Sequence, residues 1–341
     1  MNGQACVSMR MKNYRVLIKS IVMIFATGIF LLGGGVIFPS SQTRRTVSAQ
    51  TVHPCLNRVN IPIDELHWLY VPETASELYT EEEYYFLAGE LIKANVVDGS
   101  MCPSGGLMQN GYANACGMAT AMPAVIVIQN MFNEPILQAW KDVGVPPVLL
   151  KQMIQIESQF WPSLTTFEEA YLEEYGFGRM TIYGMQNALE WNRDLYTKAC
   201  MNLPPGACAP DSDIAFQILV SMVNTCETCQ YGIDIESATR SVDYLAEVLL
   251  AHCYQTAQLI FNATGWYSSL VVDYATIWKL TMMDYTSGPT CVFDTVVNTF
   301  DVTEGPMNWS DISANVNGDN CTRGLEYANR VTARYFDFPP D

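Results

Sequence analysis

The feature that most constrains this chain is an uncharged apolar segment near its start. Residues 20–38 read SIVMIFATGIFLLGGGVIF and contain no charged side chain. As an α-helix, this segment would rise roughly 28 Å, which is close to the hydrocarbon thickness of a bilayer. Four basic residues precede the segment and two follow it. The positive-inside rule therefore places the N-terminus in the cytoplasm and the rest of the chain outside.

A cleaved signal peptide is the alternative interpretation of this segment. Residues 47–49 (VSA) have the small side chains of a cleavage site, but they lie well beyond the apolar run and follow Arg44 and Arg45. We therefore expect an uncleaved membrane anchor, with a secreted protein as the alternative. Both interpretations export the main body of the chain.

The cysteines agree with export. Cys6 precedes the apolar segment, and the ten other cysteines follow it. An even number in an exported body predicts up to five disulfides, and the loop at 101–118 could be closed by Cys102 and Cys116. A zinc site at Cys226-x-x-Cys229 would need further Cys or His ligands, and a redox motif would need a βαβ context. We expect a structural disulfide at this pair, and we predict neither a metal nor a cofactor.

The charge of the body limits its partners. Residues 51–341 contain 12 basic and 35 acidic residues, a net charge of −23. Binding to nucleic acid needs clustered Lys and Arg, so a nucleic-acid partner is excluded for the body. Apolar residues make up 49% of the chain, which excludes disorder as its general state.

The pattern of apolar residues predicts a mainly α fold. We expect a tail, an anchor and a connector over 1–50, an extension or small subdomain over 51–130, and a larger helical domain over 131–341. The acidic and aromatic run at 81–86 should begin a helix. Further helices are expected near 135–144, after Pro146-Pro147, over 234–264 between Asp234 or Ser237 and Gly265, and over about 273–284.

One carboxyl group stands out in this pattern. Leu150, Met153 and Ile154 form the apolar face of the helix after Pro147, and Glu157 and Trp161 continue the same face. Burial there would raise the pKa of the Glu157 carboxyl group, as a general acid requires. The alternative is an ordinary glutamate at a helix end, with its stem on the apolar face and its carboxylate in solvent.

Three segments in order carry a resemblance to a known family. They are 149–162 (LLKQMIQIESQFWP), 175–181 (YGFGRMT) and 283–289 (MDYTSGP). Together they resemble the lysozyme-like soluble lytic transglycosylases. That family has a helix ending in Glu-Ser before an aromatic residue and a proline, a Gly-Leu-Met-Gln turn, and an Ala-Tyr-Asn-Ala-Gly-Pro turn after a later helix.

The resemblance implies a lysozyme-like domain and roles for five residues. Glu157 would be the general acid and base, and Gly178, Met180, Thr181 and Tyr285 would line the sugar groove. The sequence departs from the family at three of the motif positions, where Arg179 replaces Leu, Thr181 replaces Gln and Thr286 replaces Asn. These departures affect contacts with the sugar more than the chemistry.

The resemblance also implies a substrate and a reaction. The enzyme would cleave the β-1,4 bond between N-acetylmuramic acid and N-acetylglucosamine in peptidoglycan glycan strands, and the sugar's own 6-hydroxyl would close a 1,6-anhydro ring. A hydrolase would instead need a second carboxylate. Glu173 and Glu174 are the candidates, although a solvated acidic face of a helix or loop is the better explanation for them.

Two other interpretations remain open at this point. The chain could be a non-catalytic peptidoglycan-binding or structural module on a lysozyme-like scaffold, or an unrelated exported helical domain rich in disulfides. The sequence leaves the oligomeric state open.

Overall fold

The computed structural model describes Cys55, residues 66–167 and residues 172–333. The chain divides between residues 49 and 50, and every described residue belongs to the second part. The predicted anchor at 20–38 and Cys6 lie outside the described residues.

As predicted, the described part is mainly helical. Its α-helices are α1 (Tyr85–Lys93), α2 (Ala115–Met131), α3 (Asn133–Asp142), α4 (Pro147–Ser158), α5 (Ile182–Trp191), α6 (Arg193–Asn202), α7 (Ile214–Ser221), α8 (Ile235–Thr264), α9 (Ser268–Val271), α10 (Tyr274–Ser287), α11 (Pro289–Thr303), α12 (Trp309–Ala314) and α13 (Asp319–Val331). Short 3₁₀ helices cover His67–Leu69, Ala75–Leu78 and Pro103–Gly106.

Helix α8 is the centre of the fold. It contacts α3, α5, α6, α9, α10 and α11, and its interior from Ala238 to Ile260 supplies much of the core. Asp234 caps the helix by accepting a hydrogen bond from the Ser237 amide at 3.2 Å. Gly265 ends it in the left-handed region at φ 74°. The sequence prediction for this helix and both of its ends is confirmed.

Helix α4 ends in a way that joins it to α1. Gln159 and Phe160 follow the helix in the left-handed region, at φ 46° and 63°. This turn directs the Gln159 side chain at the start of α1, where its Oε1 accepts a hydrogen bond from the Phe86 amide at 2.9 Å. Phe160 becomes fully buried beside Tyr84, with ring centroids 5.9 Å apart. Helix α1 begins only at Tyr85, so the acidic residues 81–83 precede the helix that they were expected to begin.

Residues 75–84 pack onto the same core through polar side chains. The buried Lys151 of α4 donates to the Leu78 carbonyl and to Asn133 Oδ1 at 2.8 Å. Burial lowers the pKa of Lys151 to about 7. Gln129 and Asn130 of α2 bond the backbone of Glu82 and Thr80. Residues 75–84 therefore contact α2, which belongs to the expected extension, and α4, which belongs to the expected larger helical domain.

A short antiparallel hairpin interrupts the helices. Strands β1 (Leu164–Phe167) and β2 (Leu172–Tyr175) pair with Leu164 opposite Tyr175. The sequence did not predict this hairpin. Glu173 and Glu174 lie on its second strand and not on a helix or loop. Neither strand alternates apolar and polar residues, since their sequences are LTTF and LEEY.

The ten cysteines that follow the apolar segment form five disulfides. The pairs are Cys55–Cys253, Cys102–Cys116, Cys200–Cys208, Cys226–Cys229 and Cys291–Cys321. The prediction of a disulfide framework is confirmed, including both pairs named from the sequence. Five disulfides indicate an oxidising, extracytoplasmic environment.

One described stretch has the length and composition of a membrane span. It is Ala115–Asp142, which comprises α2 and α3. Core helices of soluble proteins meet the same criterion, and both helices place residues such as Val125, Ile128 and Ile136 in the core at 0% exposure.

The disulfides should differ in their effect on stability because they close loops of different length. Cys55–Cys253 spans 198 residues and Cys226–Cys229 spans 3. Loop-closure entropy predicts about 5 kcal/mol for the first and about 2 kcal/mol for the second. We expect Cys55→Ser/Cys253→Ser to lower the free energy of unfolding in urea more than Cys226→Ser/Cys229→Ser does. Equal losses would contradict this expectation.

Candidate active site

Glu157 lies where the buried face of α4 meets the surface. Met153 and Ile154, one turn earlier, are fully buried, whereas the Glu157 side chain is half-buried. The carboxyl group is thus largely removed from solvent without being sealed inside the core. The sequence left open a buried acid and a glutamate at a solvated helix end, and this position in the last turn of α4 lies between the two.

Arg179 brings the turn after β2 against the end of α4. Its Nε donates a hydrogen bond to the backbone carbonyl of Glu157. Its Nη1 lies 3.7 Å from Glu174 Oε2, and its guanidinium lies over the Phe86 ring, 5.9 Å from the centroid. One cation therefore contacts both the helix that carries Glu157 and the strand that carries Glu174.

Tyr285 fixes the position of that turn. Its hydroxyl donates to the Gly178 carbonyl at 2.5 Å and lies 2.8 Å from the sulfur of Met180. A Cβ atom on Gly178 would come within 2.5 Å of Leu245 Cδ1 and 2.9 Å of the Tyr285 hydroxyl. A side chain at position 178 would therefore force the ends of Leu245 and Tyr285 to shift, because the turn approaches α8 and α10 closely.

Tyr327 of α13 is a member of the site that the sequence did not reveal. It is buried, and its hydroxyl faces the Glu157 carboxyl group but forms no hydrogen bond of good geometry among the described residues. Helix α13 reaches this position by packing closely on α10, where Gly324 lies against Ser287 and Met283. A tyrosine on the buried face of an amphipathic helix gives no sequence signal of such a role.

The surroundings of Glu157 raise its pKa to about 7. Burial is the main cause, and the negative charge of Glu174 adds to it. The Tyr327 hydroxyl and the positive charges of Arg179 and Arg330 act in the opposite direction. A carboxyl group with this pKa is present in both protonation states near neutral pH, so it can give a proton and take one back.

The two tyrosines stay protonated. Burial raises the pKa of Tyr285 and that of Tyr327 well above the usual value, and the negative charge of Glu157 adds to both shifts. Both hydroxyl groups therefore remain neutral hydrogen-bond donors at any pH at which the protein would work.

A buried polar cluster packs against the ring of Tyr285. His252 Nδ1 lies 2.8 Å from Asp284 Oδ2, and both side chains are almost completely buried. The His252 ring meets the Tyr285 ring edge to face, with centroids 5.3 Å apart. If its amide is turned, Gln255 donates to the same Asp284 oxygen at 2.9 Å and accepts from Trp191 Nε1 at 3.1 Å.

The structure brings most of the expected site residues together. Tyr285 bonds the carbonyl of Gly178, and the next residue, Arg179, bonds the backbone of Glu157. The buried Met180 closes the turn by pairing its backbone with Tyr175 at 2.9 and 3.0 Å. Thr181 instead caps α5, where its hydroxyl accepts from the Gly184 amide at 3.2 Å. The Thr181 side chain therefore stabilises the start of α5, next to the turn.

The two acidic candidates on β2 separate clearly. The exposed Glu173 accepts a hydrogen bond from the Tyr175 hydroxyl. Glu174 is half-buried and faces Arg179. Burial raises the pKa of Glu174, and Arg179 partly offsets the shift. Only Glu174 of this pair contributes to the electrostatics of Glu157.

A cavity of about 410 Å³ lies elsewhere, between the ends of α6 and α7 and the first turns of α8. Its walls include Asn202, Asn224, Arg240 and Tyr244, and Glu157 is not among them. Among the residues that the structure describes, no group of three His, Cys, Asp or Glu side chains could hold a metal ion.

Comparisons of this chain with protein-family models, with curated proteins and with solved structures find no significant match. Any assignment of function therefore depends on the sequence motifs and on the geometry described above.

The raised pKa of Glu157 predicts a pH-dependent effect on stability. The usual pKa of 4.5 applies to the unfolded chain and about 7 to the folded protein. Between these values the folded state binds more protons, so the free energy of unfolding falls as pH rises. Glu157→Gln removes this loss. We expect its melting temperature, relative to wild type, to be a few degrees higher at pH 8 than at pH 5. The exposed Glu190→Gln serves as the control, and a pH-independent difference for Glu157→Gln would contradict the prediction.

The close packing of Gly178 predicts a second effect. Gly178→Ala should displace the turn from α8 and α10, because the added methyl group has no room beside Leu245 and Tyr285. We expect a loss of about 1–3 kcal/mol in urea unfolding. Gly305→Ala is the control, since its nearest atom to a new Cβ, the Thr303 carbonyl oxygen, lies 3.7 Å away. Similar losses for the two variants would refute this role of Gly178.

Proposed function

We propose that the protein is a lytic transglycosylase with a lysozyme-like domain, and that it cleaves peptidoglycan glycan strands with Glu157 as general acid and base. The observation that carries the proposal is the Glu157 carboxyl group, whose pKa burial raises to about 7, beside the turn that Tyr285 holds. The three motifs of the resemblance contribute the residues of this one site. Their order in the sequence alone does not require such proximity.

The proposed reaction uses Glu157 twice. The protonated carboxyl group gives its proton to the O4 atom of the leaving N-acetylglucosamine while the C1–O4 bond breaks. The resulting carboxylate then takes the proton of the 6-hydroxyl as that oxygen bonds to C1 and closes the 1,6-anhydro ring. The carboxyl group ends protonated, and no water is consumed.

The remaining groups would serve this chemistry without reacting. Tyr285 and Tyr327 supply neutral hydroxyl groups beside the carboxyl group, and Arg179 favours its charged form in the second step. We further propose that residues 20–38 anchor the protein in the membrane and that the body acts on the outer side, as the five disulfides support.

The test is a digestion of purified peptidoglycan by the full chain in detergent, with mass spectrometry of the released fragments. We expect anhydro-muropeptides from the wild type and at least a hundredfold less product from Glu157→Gln, because the variant has no transferable proton. Glu190→Gln should act like wild type.

Failure of the folded wild type to release fragments from several peptidoglycan types would overturn the proposed enzyme. Unimpaired cleavage by Glu157→Gln would overturn the role of Glu157. In the first case, a pull-down with insoluble peptidoglycan would test the non-catalytic binding module.

A further inference from the structure

Strand β2 presents two adjacent glutamates to different surroundings. Successive side chains on a strand point to opposite faces, and here Glu173 faces solvent while Glu174 faces the Glu157 site. The Glu174 side chain is 21% exposed. It therefore remains accessible to a water molecule while it belongs to the same site as Glu157.

Arg179 connects Glu174 to Glu157. The same guanidinium contacts the Glu157 backbone carbonyl through Nε and lies 3.7 Å from the Glu174 carboxylate through Nη1. The charge of Glu174 raises the pKa of Glu157 and also that of Tyr285, so it acts on the proposed acid and on the tyrosine beside it. These contacts place a second carboxylate at the edge of the site.

The two carboxyl groups differ in their surroundings. Glu174 is close to a cation at its carboxylate, whereas the closest contact of Arg179 to Glu157 is with the backbone. Unequal surroundings of two neighbouring carboxyl groups allow one to act as acid and the other as base. Burial raises the pKa of both carboxyl groups, and the guanidinium 3.7 Å from the Glu174 carboxylate favours its charged form. Glu174 is therefore the one placed to act as the base.

We propose that Glu174 activates a water molecule, so that the site hydrolyses the glycosidic bond in addition to closing the anhydro ring. This inference rests on the proposed function and extends it to a second product.

The hydrolytic route balances as follows. Glu157 gives its proton to O4 as the C1–O4 bond breaks, and Glu174 takes a proton from water as the water oxygen bonds to C1. One water molecule is consumed, and the product has an ordinary reducing end. Glu157 is left charged and Glu174 neutral, and proton exchange with solvent restores both.

The experiment measures the ratio of hydrated to anhydro ends among the muropeptides that the full chain releases. We expect both products from the wild type. Glu174→Gln should lower the ratio at least tenfold, since general base catalysis contributes about 10²–10⁴-fold to a rate. Glu173→Gln, one residue away on the opposite face of the strand, should leave the ratio unchanged.

The ratio separates this role from a structural one. If Glu174 only held Arg179 in place, Glu174→Gln would lower both products together and the ratio would stay constant, which would overturn the inference. Continued release of anhydro products by the variant shows that it is folded.

The outcomes also distinguish the two proposals. Anhydro products alone from the wild type would overturn the hydrolytic route and leave the proposed function intact. No product at all from the wild type would overturn both.

Discussion

The contact between the 176–179 turn and helices α8 and α10 determines what surrounds Glu157. The turn can approach the helices because Gly178 has no side chain, and the Tyr285 hydroxyl holds it there through the Gly178 carbonyl. Arg179 follows Gly178 directly, so the same contact places the Arg179 side chain at the end of α4. Displacing the turn would separate Arg179 from Glu157 and Glu174 at once.

The cost of this arrangement is the burial of ionisable groups. Burying a carboxyl group that has no partner in the core is costly in free energy. Asp284 is only partly paired, because His252 contacts one of its oxygens while the other has no hydrogen-bond partner among the described residues. The His252–Asp284 pair lies directly against Tyr285. The polar cluster therefore orients the residue that holds the turn.

The sequence predicted the parts of the fold that local patterns encode. Helix α8 has a cap at Asp234, regular apolar spacing and a terminal Gly265, and each of these signals acts within one or two turns. The hairpin lacks such signals, because two four-residue strands depend on contacts from elsewhere, such as Gly176 against Met222.

The same distinction applies to the site. Glu157 could be proposed from its stripe and from the resemblance, and Glu173 and Glu174 could be named as a pair. The choice between those two depends on the register of the hairpin, and Tyr327 arrives through the packing of α13 on α10.

The Cys55–Cys253 disulfide has a consequence for the order in which the protein matures. The other four pairs join cysteines 3 to 30 residues apart, so each can oxidise soon after its own segment has crossed the membrane. Cys55 must wait for a partner 198 residues later, in the middle of α8. In a chain exported from its N-terminus, Cys55 therefore passes several earlier thiols before its own partner emerges. Correct maturation thus depends on a disulfide isomerase, or on local pairs that close quickly enough to leave Cys55 free until α8 is outside.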